Sequence, residues 1–256
     1  MKNEKIQTME WTYNKNLVDE CCNKWIRLGW EGTGDPYKGF VDPERVIIET
    51  THIGRHEGRL FKAMITWIRD FHDLINVQRL LHFIEDGDLP VLGAAFDIAI
   101  QHGADHRLQT VLNHCKPYGE PQILFKNGDE FGVYADNQKE FGRQEYTKWG
   151  LYGTMIEFYD DAMLDRKKVL KKNPLLALRA LIGPNIRSEI LFELEHVTRI
   201  HIRALAQKIG YAYSAVYNEV MSMAANGFLT VEVYGRTRVL TMRDTMSVFL
   251  SKIPVM

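Results

Sequence analysis

Histidine is the residue type in this chain whose number and spacing most directly suggest chemistry. Seven of the nine histidines fall in one stretch, at His52, His56, His72, His82, His102, His106 and His114. Two pairs, His52 with His56 and His102 with His106, have the four-residue spacing that places both side chains on one face of a continuous helix. Aspartates that could join them include Asp70, Asp73 and Asp105. Imidazole and carboxylate groups of this kind can hold zinc, iron or manganese.

Two glycines weaken the case for a metal site. Gly54 lies inside the first pair and Gly103 inside the second, and glycine favours a break in a helix. The His72-Asp73 dipeptide resembles the HD-type metal phosphohydrolases, and that resemblance implies cleavage of a phosphate ester. The other positions of that family's site are not assignable in this sequence. We predict no metal, no cofactor and no enzymatic activity, with a metal-dependent His/Asp hydrolase as the alternative.

The elements that would position any site are mainly helices. Apolar residues make up 45% of the 256 residues and charged residues 25%, which suits a globular protein of one or two domains. Apolar periodicity and capping residues predict the following elements: helices over 14–28, 43–84 and 90–114 with breaks near 54–58, 75–76 and 103–105, a short strand at 122–126, and helices over 151–172 and 174–182.

Charge is distributed unevenly along the chain. Residues 1–162 contain 18 Lys and Arg against 26 Asp and Glu, whereas residues 163–256 contain 14 against 7. This asymmetry indicates that the C-terminal part meets a polyanion. The polar N-terminus does not resemble a secretory signal, and no apolar run is long enough to cross a membrane. Three cysteines, two of them adjacent, are typical of free thiols, so we expect a cytoplasmic protein without a membrane partner.

The last quarter of the chain has a distinctive order of elements. A helix begins near residue 186, the alternating residues 199–202 follow, and a second helix covers 203–209. Gly210 ends that helix, because glycine adopts the left-handed conformation of a sharp turn at low cost. A third helix begins near Tyr213 or Ser214 and has a buried stripe at Val216, Val220, Met223 and Ala224. Asn226-Gly227 ends it, and two strands joined by a turn follow.

This order resembles the winged helix-turn-helix superfamily of bacterial transcription regulators. The matching residues are ALAQKIGYAYSAVYNEVMSMAANGFL followed by VEVYGRTRVLTM, and the resemblance covers residues 185–242. It implies that the third helix enters the major groove and that the hairpin tip lies beside a phosphate strand. The residues that it implies for DNA contact are Arg203, Lys208, Tyr213, Ser214, Tyr217, Asn218, Arg236 and Arg238.

One departure from the usual pattern concerns charge on the third helix, which contains neither Lys nor Arg. It therefore lacks the commonest base contact, a bidentate arginine to guanine. Affinity would have to come from Arg236, Arg238, Lys208 and the basic run DRKKVLKK at 165–172. The alternative is a winged helix that serves as a dimerisation or protein-docking module.

Taken together, these patterns predict a mainly helical protein with a multi-helical N-terminal domain and a C-terminal winged helix-turn-helix. We expect a sensing or dimerisation domain at 1–165, a basic linker region at 166–184 and a DNA-binding domain at 185–256. The predicted function is a DNA-binding transcription regulator. Its expected partners are double-stranded DNA, a second copy of the chain and an unknown effector at the N-terminal domain. The second copy is expected because two half-sites need two readers.

Overall fold

The computed structural model describes residues 14–126, 133–154, 157–234 and 237–242. The protein is mainly helical, and a small three-stranded antiparallel sheet lies near the C-terminus. Within the described ranges, no helix combines the length and the apolar character needed to cross a membrane.

Six helices form the first part of the molecule. They are α1 (Lys15–Leu28), α2 (Pro43–Ile53), α3 (Gly58–Phe71), α4 (Val77–His82), α5 (Leu89–Gln101) and α6 (Gln109–Leu112), with short 3-10 turns at His72–Leu74, Ile84–Asp86 and His106–Leu108. Asp42 caps α2 by accepting from the backbone of Glu44 and Arg45, and Pro43 occupies the first helical position, as the sequence predicts. The predicted breaks near residues 54–58, 75–76 and 103–105 are confirmed.

The middle of the chain contains shorter elements. They are β1 (Gln122–Ile123), α7 (Val133–Glu140), α8 (Gln144–Thr147), β2 (Leu151–Tyr152), α9 (Arg166–Lys172) and α10 (Pro174–Ile182). Strands β1 and β2 pair in parallel, Gln122 with Leu151 and Ile123 with Tyr152. The predicted strand at 122–126 is therefore shorter than expected.

The predicted helix over residues 151–172 is wrong in its first part. Leu151–Tyr152 is a strand, and helix begins only at Arg166. The intervening backbone pairs instead with the segment after α1: the N–H of Leu164 donates to the carbonyl of Gly29, and the N–H of Glu31 donates to that of Ala162, each at 2.8 Å. These long-range bonds satisfy the backbone without a helix.

The C-terminal elements follow the predicted order. They are α11 (Ile186–His196), β3 (Ile200–His201), α12 (Ile202–Ile209), α13 (Tyr213–Ala225), β4 (Leu229–Tyr234) and β5 (Thr237–Met242). The sheet order is β3-β5-β4, with both pairs antiparallel. Asn185 opens α11 with a capping box that includes Ser188, an arrangement that satisfies two otherwise unpaired donors.

The turn between α12 and α13 depends on Gly210. Its φ of +72° lies in the left-handed region, which side chains with a Cβ atom rarely adopt. A Cβ atom at this position would also lie 2.7 Å from the ring of His82 at the end of α4. Glycine is therefore required here both for the turn and for the close approach of α4.

Buried apolar side chains form two clusters. The first runs from Val18 in α1 to Leu176 in α10 and includes the fully buried Trp25 and Trp67. The second runs from Leu175 to Leu240 and includes the buried side chains of α11, α12 and α13. Helix α10 contributes to both clusters, so it lies where the two cores meet. The exact domain limits stay a prediction.

A buried ionic network joins the two clusters. Arg179 of α10 is 1% exposed and donates to both carboxylate oxygens of Glu44, at 2.7 and 2.8 Å, and to Glu189 of α11 at 2.9 Å. Arg79 of α4 donates to Asp42 at 2.5 Å. Each of these charges has an opposite partner, as buried charges require.

The same network anchors the turn around Gly210. Arg79 donates to the carbonyl of Ile209 at 2.6 Å, and the hydroxyl of Tyr211 donates to the side chain of Asn76 at 2.8 Å. The buried side of the α12–α13 turn is thus fixed to α4, while the N-terminal part of α13 stays open to solvent.

Candidate nucleic-acid interface

Helix α13 has one buried face and one exposed face. Val216, Val220 and Met223 are buried in the second cluster, and this spacing of four and three residues defines one side of a helix. The opposite side carries Tyr213, Ser214 and Asn218, which are exposed, and Tyr217, which is half-buried. Within the described residues, the side chains of Ser214 and Asn218 form no hydrogen bond. Their polar atoms are therefore available to a partner.

Two arginines from neighbouring elements lie against the tyrosines of this exposed side. The guanidinium of Arg203 in α12 is 5.8 Å from the ring centroid of Tyr213, and that of Arg238 in β5 is 5.2 Å from the ring of Tyr217. The two rings are 6.0 Å apart at an angle of 30°. We call these four residues the Arg–Tyr face; it spans α12, α13 and the hairpin.

The arginines of the Arg–Tyr face keep their hydrogen-bond donors available. Neither Arg203 nor Arg238 forms an ion pair with any residue of the described ranges. A cation–π contact with a tyrosine ring does not require the N–H donors of a guanidinium to find an acceptor there. Those donors match the oxygens of a phosphate group. The face can therefore bind phosphate without first breaking an internal salt bridge.

The N-terminus of α13 adds further donors. Ala212 precedes the helix and offers no side chain to cap it. The first N–H groups of a helix have no acceptor within the helix, and the helix dipole makes this end positive. Because the first turn carries Tyr213, the open donors lie next to the Arg–Tyr face. Both features favour an anion at the same place.

Lys208 does not join this group. Its Nζ atom pairs with Glu193 at 2.5 Å, and it lines a cavity of about 330 Å³ together with Tyr37, Phe40 and Arg79. Its charge is therefore already compensated. The sequence suggested a role for Lys208 only by its position on the second helix, and that position does not reveal the acidic partner on α11.

The basic run before α10 is only partly available. Arg166 pairs with Asp73 at 2.5 Å, and Lys168 pairs with Asp165 at 3.2 Å. Lys167, Lys171 and Lys172 are exposed. Arg236, at the predicted hairpin tip, lies outside the described residues. Of the eight predicted contact residues, the structure brings together Arg203, Tyr213, Ser214, Tyr217, Asn218 and Arg238.

Sequence analysis did not identify the residues that anchor the α12–α13 turn. Asn76, Arg79 and Tyr211 hold the back of the α12–α13 turn, but their partners are about 130 residues apart along the chain. No local pattern reports a contact of that range. The only signal in this region was Gly210 itself.

The histidine pairs do not form a metal site in the described part of the chain, where no group of three or more His, Cys, Asp or Glu side chains could hold a metal ion. Helix α2 ends before His56, and α5 ends before His102, so neither pair shares a continuous helix. His72 hydrogen-bonds the carbonyl of Arg69 through Nδ1 at 2.8 Å, while Asp73 pairs with Arg166. The two residues of the HD dipeptide are therefore each bound to a different partner.

The cysteines are also unsuited to nucleophilic chemistry. All three are free thiols and buried, and burial raises the pKa of both Cys21 and Cys115 to about 12. A thiol with so high a pKa is protonated near neutral pH and reacts slowly.

What the Arg–Tyr face and its neighbours can do is bind an anionic partner of extended shape. Two available guanidinium groups, one open helix end and two uncommitted polar side chains lie on one surface. Comparisons with protein-family models, with curated proteins and with solved structures gave no match to this chain.

Proposed function

We propose that this protein is a DNA-binding transcription regulator in which residues 185–242 act as a winged helix. Helix α13 enters the major groove, and the β4–β5 hairpin lies beside a phosphate strand. The observation that carries the proposal is the Arg–Tyr face, in which Arg203 lies beside Tyr213 and Arg238 beside Tyr217 on the exposed part of α13. The excess of basic over acidic residues after residue 162, 14 against 7, supports it.

The contacts divide into positioning and reading. Arg203, Arg238 and the N–H groups at the start of α13 bind phosphates and set the register of the helix on the duplex. Asn218 and Ser214 face the base edges. Asparagine can form two hydrogen bonds with adenine, whereas serine makes single bonds. Since α13 contains neither Lys nor Arg, Asn218 is the main source of sequence discrimination.

The proposal predicts a specific salt dependence. Replacement of Arg203 and Arg238 by alanine removes two phosphate contacts, so binding weakens for all duplexes alike. Each lost contact makes the plot of log K against log salt concentration less steep by about one unit, so the double variant loses about two. The measurement is titration of labelled duplex with purified protein at several salt concentrations.

The control for this experiment is Arg143→Ala. Arg143 is an exposed arginine of the N-terminal part and pairs with Glu145, so its removal changes the net charge without touching the Arg–Tyr face. The control should bind with the wild-type slope. Wild-type affinity and slope in the Arg203/Arg238 double variant would refute the proposed contacts.

One observation favours a second candidate, a protein-docking role for the same C-terminal part. Exposed apolar side chains, among them Ile182 and Phe228, line a groove of about 550 Å³ between α10, α11 and α13. Exposed apolar surface of this kind often marks a protein contact. Purified protein that binds no duplex at low salt would favour docking over DNA binding.

A further inference from the structure

A second cavity with an unusual charge lies in the N-terminal part, far along the chain from the Arg–Tyr face. It has a volume of about 520 Å³ and lies between the end of α2, the start of α5, residues 116–119 and Lys126. Its charged and polar lining is made up of His52, Arg55, His56, Asp88, Lys116 and Lys126. Clefts of this size commonly hold small molecules.

Arg55 forms the base of this cavity and is fully occupied by internal bonds. Only 4% of the residue is exposed. It donates to Asp88 at 2.9 Å and to the hydroxyl of Tyr118 at 2.8 Å, and its remaining donors meet Gln122, Ile123 and Leu124. Tyr118 donates in turn to Asp88 at 2.6 Å. The bonds of Arg55 therefore fix the base of the cavity, and its charge cancels that of Asp88.

Among the described residues that line the cavity, the remaining charge is positive. Lys116 and Lys126 are exposed at its rim, and neither forms an ion pair within the described part of the chain. With Asp88 matched by Arg55, two positive charges are left over. The surrounding residues 1–162 contain more acidic than basic residues, 26 against 18, so this cavity is a local exception to its environment.

Two of the groups that line the cavity have pKa values below their usual ones. Burial lowers the pKa of Lys126, and Arg55 lowers it further, while Asp88 opposes the shift. Burial also lowers the pKa of His52, to which Arg55 and Lys126 both contribute. The hydrogen bond to the carbonyl of Asp86 and the charge of Asp88 act on His52 in the opposite direction. An anion bound beside Lys126 would favour the charged form of that lysine.

We propose that this cavity binds a small organic anion through a phosphate or carboxylate group held by Lys116 and Lys126. The lysine ammonium groups act as point charges that accept either kind of oxygen anion. Tyr118 and Pro90 supply a partly apolar wall for the rest of the molecule. A long polyanion is disfavoured, because the acidic surface of residues 1–162 would repel it.

An anion bound in this cavity could act as the effector of the proposed regulator. Binding of the anion itself does not require DNA. The test is isothermal titration calorimetry of the full chain without DNA, with inorganic phosphate in one series and citrate in the other. We expect saturable binding of one equivalent of at least one probe. Phosphate alone would indicate a phosphorylated ligand, and citrate alone a carboxylate ligand.

The matched variants are Lys116→Ala combined with Lys126→Ala, and Lys38→Ala as the control. All three lysines are exposed, so the variants should keep the wild-type circular dichroism spectrum and melting temperature. The double variant should lose at least about tenfold in affinity, because each lysine removed takes away a charge-assisted hydrogen bond to the anion. Lys38→Ala should bind as wild type does.

A pH series adds an independent readout. Since Lys126 loses its proton at a lower pH than a free lysine, affinity should fall as the solution becomes alkaline, and it should do so less in Lys126→Ala. Failure of both probes to saturate the wild type, or equal affinity in the double variant, would overturn the proposal. Either result would leave the DNA-binding proposal untouched.

Discussion

Tyr213 and Tyr217 of α13 show how residue spacing translates into a surface. Their four-residue separation places both rings on the exposed side of the helix, where they lie 6.0 Å apart. This relation follows from helical geometry and could be predicted from the sequence. The approach of Arg203 and Arg238 could not, because it depends on how α12 and the hairpin pack against α13.

Asn218 provides the residue-level prediction about sequence discrimination. Alanine at this position should reduce the preference for the best duplex over random duplex by about 1–3 kcal/mol, the range for a bidentate base contact. Affinity for random duplex should hardly change, since phosphate contacts remain. Competition binding with the two duplexes measures the ratio.

The control for this prediction is Asn113→Ala, which replaces an exposed asparagine beyond α6. It should keep the wild-type ratio. An Asn218→Ala variant that weakens both duplexes equally would indicate a phosphate contact and exclude Asn218 as a base reader.

At the level of elements, local signals predicted the C-terminal part well. Gly210 and Asn226-Gly227 mark the ends of α12 and α13, and each acts within its own turn. The alternating residues 229–234 form β4 as predicted. Local signals were sufficient because each boundary is set by the conformation of the residues at that boundary.

The segment 151–165 shows where such signals are insufficient. The spacing of its apolar residues predicted a helix. In the structure these residues instead contact the segment that follows α1. Tyr159 packs against Trp30 with ring centroids 5.8 Å apart, and Met163 bridges to Trp30 through the backbone. Long-range contacts of this kind override the local helical preference.

Gly210 gives a prediction about the α12–α13 turn. Gly210→Ala should destabilise the protein by about 1–2 kcal/mol from the positive φ alone, with a further loss from contact with His82. Combination with His82→Ala should remove the loss of stability that comes from steric contact and leave the loss that comes from the backbone conformation. Chemical denaturation of the two single variants and the double variant measures both parts.

Additive losses in the double variant would show that His82 does not crowd this position. Wild-type stability in Gly210→Ala itself would contradict the left-handed turn.

For the whole molecule, the buried network around Arg179 is the main connection between the two apolar clusters. Arg179→Ala leaves Glu44 and Glu189 buried without their partner, so it should lower the free energy of unfolding by about 3–5 kcal/mol. The matched control is Arg187→Ala, whose ion pair with Glu219 lies at the surface. That variant should lose no more than about 1 kcal/mol. Equal losses in urea denaturation would contradict the role assigned to Arg179.

The same network predicts a pH effect on stability. Burial raises the pKa of Glu44 to about 7; Arg179 opposes the shift, and the charges of Asp42 and Glu189 add to it. Asp42 behaves differently: although burial acts in the same direction, Arg79 holds the pKa of its carboxyl below the usual value. Three carboxylates face two guanidinium groups here, so burial and the neighbouring carboxylates hold the pKa of Glu44 above its usual value.

The sign of the effect follows from proton binding. An unfolded glutamate releases its proton near pH 4.5, whereas folded Glu44 keeps it until about pH 7. Stability from this group is complete below the lower value and is lost as the pH rises through the upper one. The free energy of unfolding should fall across this window more steeply in wild type than in Glu44→Gln. Identical pH profiles would contradict a raised pKa of Glu44.

The most direct test of the proposed function is selection of bound fragments from a pool of random duplex DNA by the purified full chain. The account predicts enrichment of a defined sequence within a few rounds, with loss of that enrichment in Asn218→Ala and loss of retention in the Arg203/Arg238 double variant. A pool that is not retained at low salt, or is retained without any enriched sequence, would contradict a sequence-specific DNA-binding regulator.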